Sequence, residues 1–217
     1  PWIDSVRGDR TVFSYVNPNA RHSPLDCPPE CEIRYAGKVG EKEAKFLGMV
    51  ANIDDNVGRL LARLRQLELE KKTLVIFLND NGGTAGCRIH NAGMKGQKGT
   101  AHWGGTRAMS FWRWPGTFEP GARHQLTAHV DIFPTLAELA GARVPAHVRA
   151  SQDGFSLVPI LKDPRAAWHD DRMLFTHVGR WPVGADPVKY GPCSVRWQRY
   201  LLWRAKDRWA LFDLEAD

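Results

Sequence analysis

The stretch Thr73-Leu74-Val75-Ile76-Phe77-Leu78-Asn79-Asp80-Asn81-Gly82-Gly83 decides the fold. It begins as a short apolar run rich in β-branched side chains, the pattern of a strand buried on both faces of a parallel sheet. The run stops at once in Asn, Asp and Gly, the residues of a strand-to-loop turn. Upstream, Phe46, Val50, Ile53, Val57, Leu60, Leu61, Leu64 and Leu67 recur at spacings of three and four, which predicts a helix over Glu41–Leu69. Lys71 and Lys72 sit near its C-terminal end, where cations suit the helix dipole. A long helix feeding a buried strand predicts an α/β domain.

Working outward, Thr11-Val12-Phe13-Ser14-Tyr15-Val16 reads as a strand, and Asn17 to Pro29 as a loop. From Asn79 to Gly105 the chain turns glycine-rich, a long loop of the kind that carries function in compact domains. Ala108 to Trp114 reads as another strand, closed by the turn Pro115-Gly116. Asp131 is placed to cap a helix running to Ala140, with Gly141 as its stop. The pattern changes after Pro164. Met173–Val178, Ser194–Trp203 and Trp209–Leu214 read as strands, and Lys206-Asp207-Arg208 turns the last two into a hairpin. This divides the chain into residues 1–164 and a smaller antiparallel subdomain beginning at 165–217.

The 217 residues suffice for one domain or one and a half, and 43% are hydrophobic, enough for a substantial core. Lys and Arg number 30 against 24 Asp and Glu, but the basic residues are scattered, which argues against a nucleic-acid binder. Cys27, Cys31, Cys87 and Cys193 are too few for a disulfide scaffold; Cys27 and Cys31 either pair or stay free. No apolar run reaches the roughly 18 residues of a membrane helix. The chain starts at Pro1 and its first residues read as mid-protein sequence, so a fragment is expected.

Three places carry the residue types of a reactive site. Asp80 and Asn81 offer hard oxygen ligands at the carboxyl end of a strand, where ligands bind in open α/β sheets. The same residues are equally those of a plain turn. Lys98, flanked by Gly96 and Gly99, offers a point charge to an anion, or is a solvated loop lysine. His22, in the loop after the first expected strand, is placed to bind an anion or protonate a leaving group, or is a surface histidine.

Taken together and in order, these segments resemble the sulfatase family. The matching run begins at His22-Ser23-Pro24-Leu25 and continues through Ile53-Asp54-Asp55-Asn56-Val57-Gly58-Arg59-Leu60-Leu61. Thr73–Phe77 with Asp80-Asn81-Gly82, Lys98-Gly99-Thr100, Gly104-Gly105-Thr106-Arg107 and Trp114-Pro115-Gly116 follow. His129-Val130-Asp131-Ile132-Phe133-Pro134-Thr135-Leu136, Asp153-Gly154-Phe155-Ser156-Leu157 and Leu211-Phe212-Asp213-Leu214 complete it. The resemblance implies part of an alkaline-phosphatase-like α/β sandwich followed by the start of the small antiparallel subdomain. It implies that Asp80 and Asn81 ligate a divalent ion, Ca²⁺ or Mg²⁺, and that Lys98 and His22 contact the sulfate and its leaving oxygen. Asp54, Asp131 and Arg107 are expected to be structural.

Two departures bear on that reading. The family's nucleophile is a formylglycine made in a Cys/Ser-x-Pro/Ala-x-Arg motif, and no such motif occurs in these residues. The nucleophile and an early Asp-Asp metal pair are therefore expected upstream of Pro1, and the isolated chain is expected to be inactive. Trp103 stands where the family often has an acidic residue. The reading is a sulfuric ester hydrolase acting on a small-molecule or carbohydrate sulfate ester, periplasmic or secreted by family analogy. The alternatives are a phosphodiesterase or phosphonate hydrolase of the same superfold and a non-catalytic remnant that binds metal and anion.

Overall fold

A computed structural model describes residues 5, 11–18, 24–189 and 191–216. The chain divides into two compact units, residues up to Leu61 and residues from Ala62.

In the first unit, the Pro-rich segment starts a one-turn helix, α1 (Pro29–Glu32), with proline at a position whose N–H would be unpaired anyway. The long helix α2 (Glu41–Gln66) follows and continues five residues beyond Leu61. It stops short of the expected Leu69 because Glu68 turns to a positive φ of 55°. The face that α2 buries carries Ala44, Gly48 and Ala51, spaced i, i+4 and i+7. A side chain at Gly48 would stand 2.7 Å from the Cys27 sulfur and 3.0 Å from the Glu32 backbone, so glycine is what lets α1 pack this closely. Arg34 clamps the pair with two hydrogen bonds to Asp55, at 2.7 and 3.3 Å. Phe46 and Met49 are also buried, but Val50 and Leu60 of the expected apolar stripe are exposed.

The strand expected at Thr11–Val16 does not form. Those residues have no regular structure, and Phe13, Tyr15 and Val16 are exposed. Strand propensity expresses fit to a pleated, half-buried surface, and among the described residues no segment offers that surface to them.

In the second unit, β1 (Val75–Leu78) occupies the centre of the expected strand. The parallel, fully buried environment is corrected: all four residues are half-buried, and β1 pairs antiparallel with β2 (Ser110–Arg113), Val75 opposite Arg113 and Leu78 opposite Ser110. The glycine-rich loop, which holds a one-turn helix α3 (Trp103–Thr106), returns the chain alongside β1 in the opposite direction. Among the described residues β1 has one hydrogen-bonded neighbour.

A 3₁₀ turn at His129–Asp131 leads into α4 (Ile132–Leu139), and the short helices α5 (Ala146–Ala150) and α6 (Val158–Lys162) follow. Leu157, Ile160 and Leu161 form the apolar core here, against Trp112, Phe118, Ala166 and Trp168.

Asp131 is fully buried and does more than cap a helix. Its carboxylate accepts the N–H groups of Ala128 at 2.7 Å and Phe155 at 2.9 Å, and both arms of the Arg172 guanidinium at 2.8 Å. Thr135 extends the network, accepting the Leu157 N–H at 2.8 Å. Gly154 packs flat on the Val130 carbonyl, where no side chain fits. The segments His129–Leu136 and Asp153–Leu157 are thus one interlocked structural unit.

The chain closes in a four-stranded antiparallel sheet in the order β3 (Met173–His177), β4 (Cys193–Trp197), β5 (Tyr200–Ala205), β6 (Arg208–Asp213). The single strand expected over Ser194–Trp203 is two, joined at Gln198-Arg199, with Gln198 at a φ of 46°. Alternation continues across so tight a hairpin, and no Gly, Pro, Asn or Asp marks the bend. The second hairpin turns at Lys206-Asp207, within the expected segment, with Ala205 opposite Arg208.

Candidate active site

The site grows from the carboxyl end of β1. Asn79 donates its N–H to the Met109 carbonyl at 3.1 Å, and its own carbonyl lies 2.7 Å from Nε2 of His129. A carbonyl only accepts, so the His129 proton sits on Nε2. His129 thereby pins the turn that carries Asp80 and Asn81. Asp80 is exposed and Asn81 half-buried. Neither side chain has a hydrogen bond or ion pair among the described residues.

The glycine-rich loop folds back on this turn through its own backbone. The Lys98 N–H donates to the Gly83 carbonyl at 2.9 Å, Gly82 N–H to Gly105 at 3.0 Å, and Gly104 N–H to Lys95 at 2.8 Å. Asn91 donates to the Met94 and Gly96 carbonyls at 2.6 and 2.8 Å. Gly82, Gly104 and Gly105 stand where other backbone atoms of the loop fill the space of a Cβ. Lys98 is therefore placed near Asp80 and Asn81 by main-chain bonds. The residue is half-buried, and its ammonium has no acidic partner among the described residues. His22, the remaining expected site residue, lies outside the described residues.

The loop's other side rests on the C-terminal sheet. His102 stacks on Trp203 with ring centroids 4.4 Å apart and meets Phe212 edge-on at 5.9 Å, while the Lys95 ammonium lies 5.0 Å from the Phe212 ring. Burial, reinforced by Lys95, holds the His102 imidazole below its ordinary pKa, and its Nδ1 is buried without a partner among the described residues. Trp103 receives the guanidinium groups of Arg107 at 4.8 Å and Arg196 at 5.4 Å on its ring. Burial and then Arg107 push the Arg196 pKa down. Where the resembling family often has a carboxylate, this chain gathers two guanidinium groups on an aromatic ring.

A hard cation takes six to eight oxygen ligands as Ca²⁺ and six as Mg²⁺. Asp80 and Asn81 supply two side-chain oxygens of the right chemistry, and both are uncommitted. Among the described residues no group of three or more His, Cys, Asp or Glu could hold a metal. The residues present fit part of such a site, with the remaining ligands to come from elsewhere. The four cysteines are free, and Cys31 is buried beside Asn52.

Two residues near the site stayed hidden in the sequence. His129 was visible only as one letter of a motif, and its bond to Asn79 spans 50 positions. Arg180, from the segment after β3, reaches the loop at Gly99, beside Lys98.

The Sulfatase family model matches residues 2–142, and the model of the C-terminal part of N-sulphoglucosamine sulphohydrolase matches residues 105–217. A sulfatase of Formosa agariphila is 29% identical over 99% of this chain and 42% of its own length. Human arylsulfatase A is 35% identical over 75% of this chain and 32% of its own length. The crystal structure of Ps i-CgsB in complex with k-i-k-neocarrahexaose matches with a TM-score of 0.75 and 27% identity, over 90% of this chain and 42% of that one. This chain thus spans well under half the length of the relatives it matches. With both family models covering more than half of its residues, the chain belongs to the sulfatase family.

Proposed function

We propose that these residues form the C-terminal part of an enzyme that hydrolyses sulfate esters. The observation that supports the reading is the Lys98 N–H to Gly83 hydrogen bond at 2.9 Å, which brings the Lys98 main chain back to the strand end bearing Asp80 and Asn81. Residues 1–164 would belong to the catalytic domain and 165–217 to the smaller antiparallel subdomain. The substrate class is a small-molecule or carbohydrate sulfate ester; the oligosaccharide bound in the Ps i-CgsB structure supports the carbohydrate form. The family's exported members support a periplasmic or secreted location. Among the described residues, no helix is long and apolar enough to cross a membrane.

Asp80 and Asn81 would hold the divalent ion, Ca²⁺ or Mg²⁺, which when bound supplies Lewis acidity at the sulfate oxygens. The nucleophile, a formylglycine, would come from outside these residues. Lys98 would bind a sulfate oxygen and neutralise charge that grows as the ester bond breaks. His129 would keep the Asp80 turn in place through the Asn79 carbonyl. His22 would hydrogen-bond the leaving oxygen, on the strength of the resemblance.

The test is sulfate release from an aryl sulfate by the natural polypeptide that contains these residues, before and after chelation, with Asp80→Asn alongside. Turnover that falls on chelation and in Asp80→Asn supports the reading. Release of phosphate from a phosphonate or phosphodiester, with none of sulfate, would move the site to phosphoryl chemistry. Metal binding with no turnover of either would leave a binding module.

A further inference from the structure

We infer that Arg180 is a specificity-determining residue of this site, and that the substrate carries a second anionic group beside the sulfate ester that reacts. The inference rests on the sulfatase reading and narrows its substrate class. The Arg180 guanidinium lies against Gly99, one residue after Lys98. Its two terminal nitrogens are 3.0 and 3.7 Å, and its central carbon 3.3 Å, from where a Gly99 side chain would begin. Gly99 also has a φ of 83°, a turn conformation that favours glycine.

Arg180 belongs to the segment that follows β3, and its N–H donates to the Val178 carbonyl at 3.1 Å. Trp181 folds back on Gly179 and packs on His177 with ring centroids 5.6 Å apart. The guanidinium is exposed and has no acidic partner among the described residues. In the same unit Arg172 pairs with Asp131, Arg113 with Glu70 and Arg199 with Asp213 and Glu215, while Arg107 and Arg196 lie on the Trp103 ring.

Lys98 and the Arg180 guanidinium at Gly99 thus put two cationic side chains at adjacent positions of the loop, neither with an acidic partner among the described residues. One monovalent sulfate ester would engage Lys98. The planar, five-donor fork of Arg180 suits a second oxyanion held in two-point contact, a further sulfate ester or a carboxylate. Both kinds of group present the same pair of oxygens.

The experiment uses the natural polypeptide and three sulfate esters: a singly charged aryl sulfate, a disulfated disaccharide and a monosulfated disaccharide bearing a uronic acid. In Arg180→Ala, kcat/KM is expected to fall about tenfold or more on a doubly charged substrate and to stay within about twofold on the aryl sulfate. Arg180→Lys is expected to recover only part of the loss, because an ammonium lacks the fork. Loss on the disulfated substrate alone assigns the partner as sulfate, and loss on the uronate alone assigns it as carboxylate. Titration calorimetry of the two disaccharides as ligands, without turnover, is expected to show the same weakening, steeper at low salt. Equal effects on the singly and doubly charged substrates, or none on any substrate that is turned over, overturns the inference. Absence of turnover on all three sulfates in the unaltered enzyme counts against the sulfatase reading instead.

Discussion

Replacing Arg172 with leucine tests the buried network that ties the His129–Leu136 and Asp153–Leu157 segments together. Arg172 and Asp131 are 4% and 0% exposed and meet through two hydrogen bonds of 2.8 Å. Removing the guanidinium leaves a carboxylate fully buried with only the Ala128 and Phe155 N–H groups as partners. Breaking a buried pair from one side costs about 3–5 kcal/mol, against a total stability of about 5–15 kcal/mol for a typical domain. Arg172→Leu should therefore lower the urea midpoint of the natural polypeptide by about a fifth or more, measured by tryptophan fluorescence. The double replacement Asp131→Leu with Arg172→Leu removes the orphaned charge as well. It should be coupled to the single variants, losing less than their sum. An Arg172→Leu midpoint within experimental scatter of the unaltered protein would refute the argument that the pair is closed to water.

Other perturbations follow from the same geometry. His102 has a folded pKa below its unfolded value because of burial and then Lys95, so the unfolded chain takes up a proton that the folded chain resists. Its stability contribution is complete above about pH 6.5 and is lost as pH falls from there through the folded pKa. His102→Gln should flatten that part of the pH–stability curve; a curve of unchanged shape would contradict it. Trp103→Glu should keep stability, since a carboxylate can answer Arg107 and Arg196 in place of the ring, whereas Trp103→Ala should cost about 1–2 kcal/mol in denaturant unfolding. Gly154→Ala should lower the melting temperature by several degrees, because the added methyl meets the Val130 carbonyl. An unchanged melt would show that the two segments separate easily.

Much of the architecture was legible because it rests on local signals. The α2 periodicity, the apolar β1 run and the strands after Pro164 are each encoded within a dozen residues. What failed depended on partners distant in the chain. Thr11–Val16 has the composition of a strand, but no neighbour among the described residues completes a ladder with it. The direction of β1's pairing is set by how the glycine-rich loop closes, which apolarity does not record. The Gln198-Arg199 hairpin was hidden because both strands keep the same alternation through it. At the site, Asp80, Asn81 and Lys98 could be named from composition and order. The arginine at Gly99 and the histidine at Asn79 arrive from 81 and 50 positions away, a distance no local pattern spans.

The most direct measurement of the central claim is kcat/KM for aryl sulfate hydrolysis by the natural polypeptide with Lys98→Ala, alongside a urea midpoint showing that the variant is folded. An ammonium that stabilises developing charge in the site is worth about 3 kcal/mol or more, so a loss of about a hundredfold or greater at unchanged stability is expected. A folded Lys98→Ala variant that turns over the aryl sulfate at the original rate would remove Lys98 from the site and the sulfate-binding account with it.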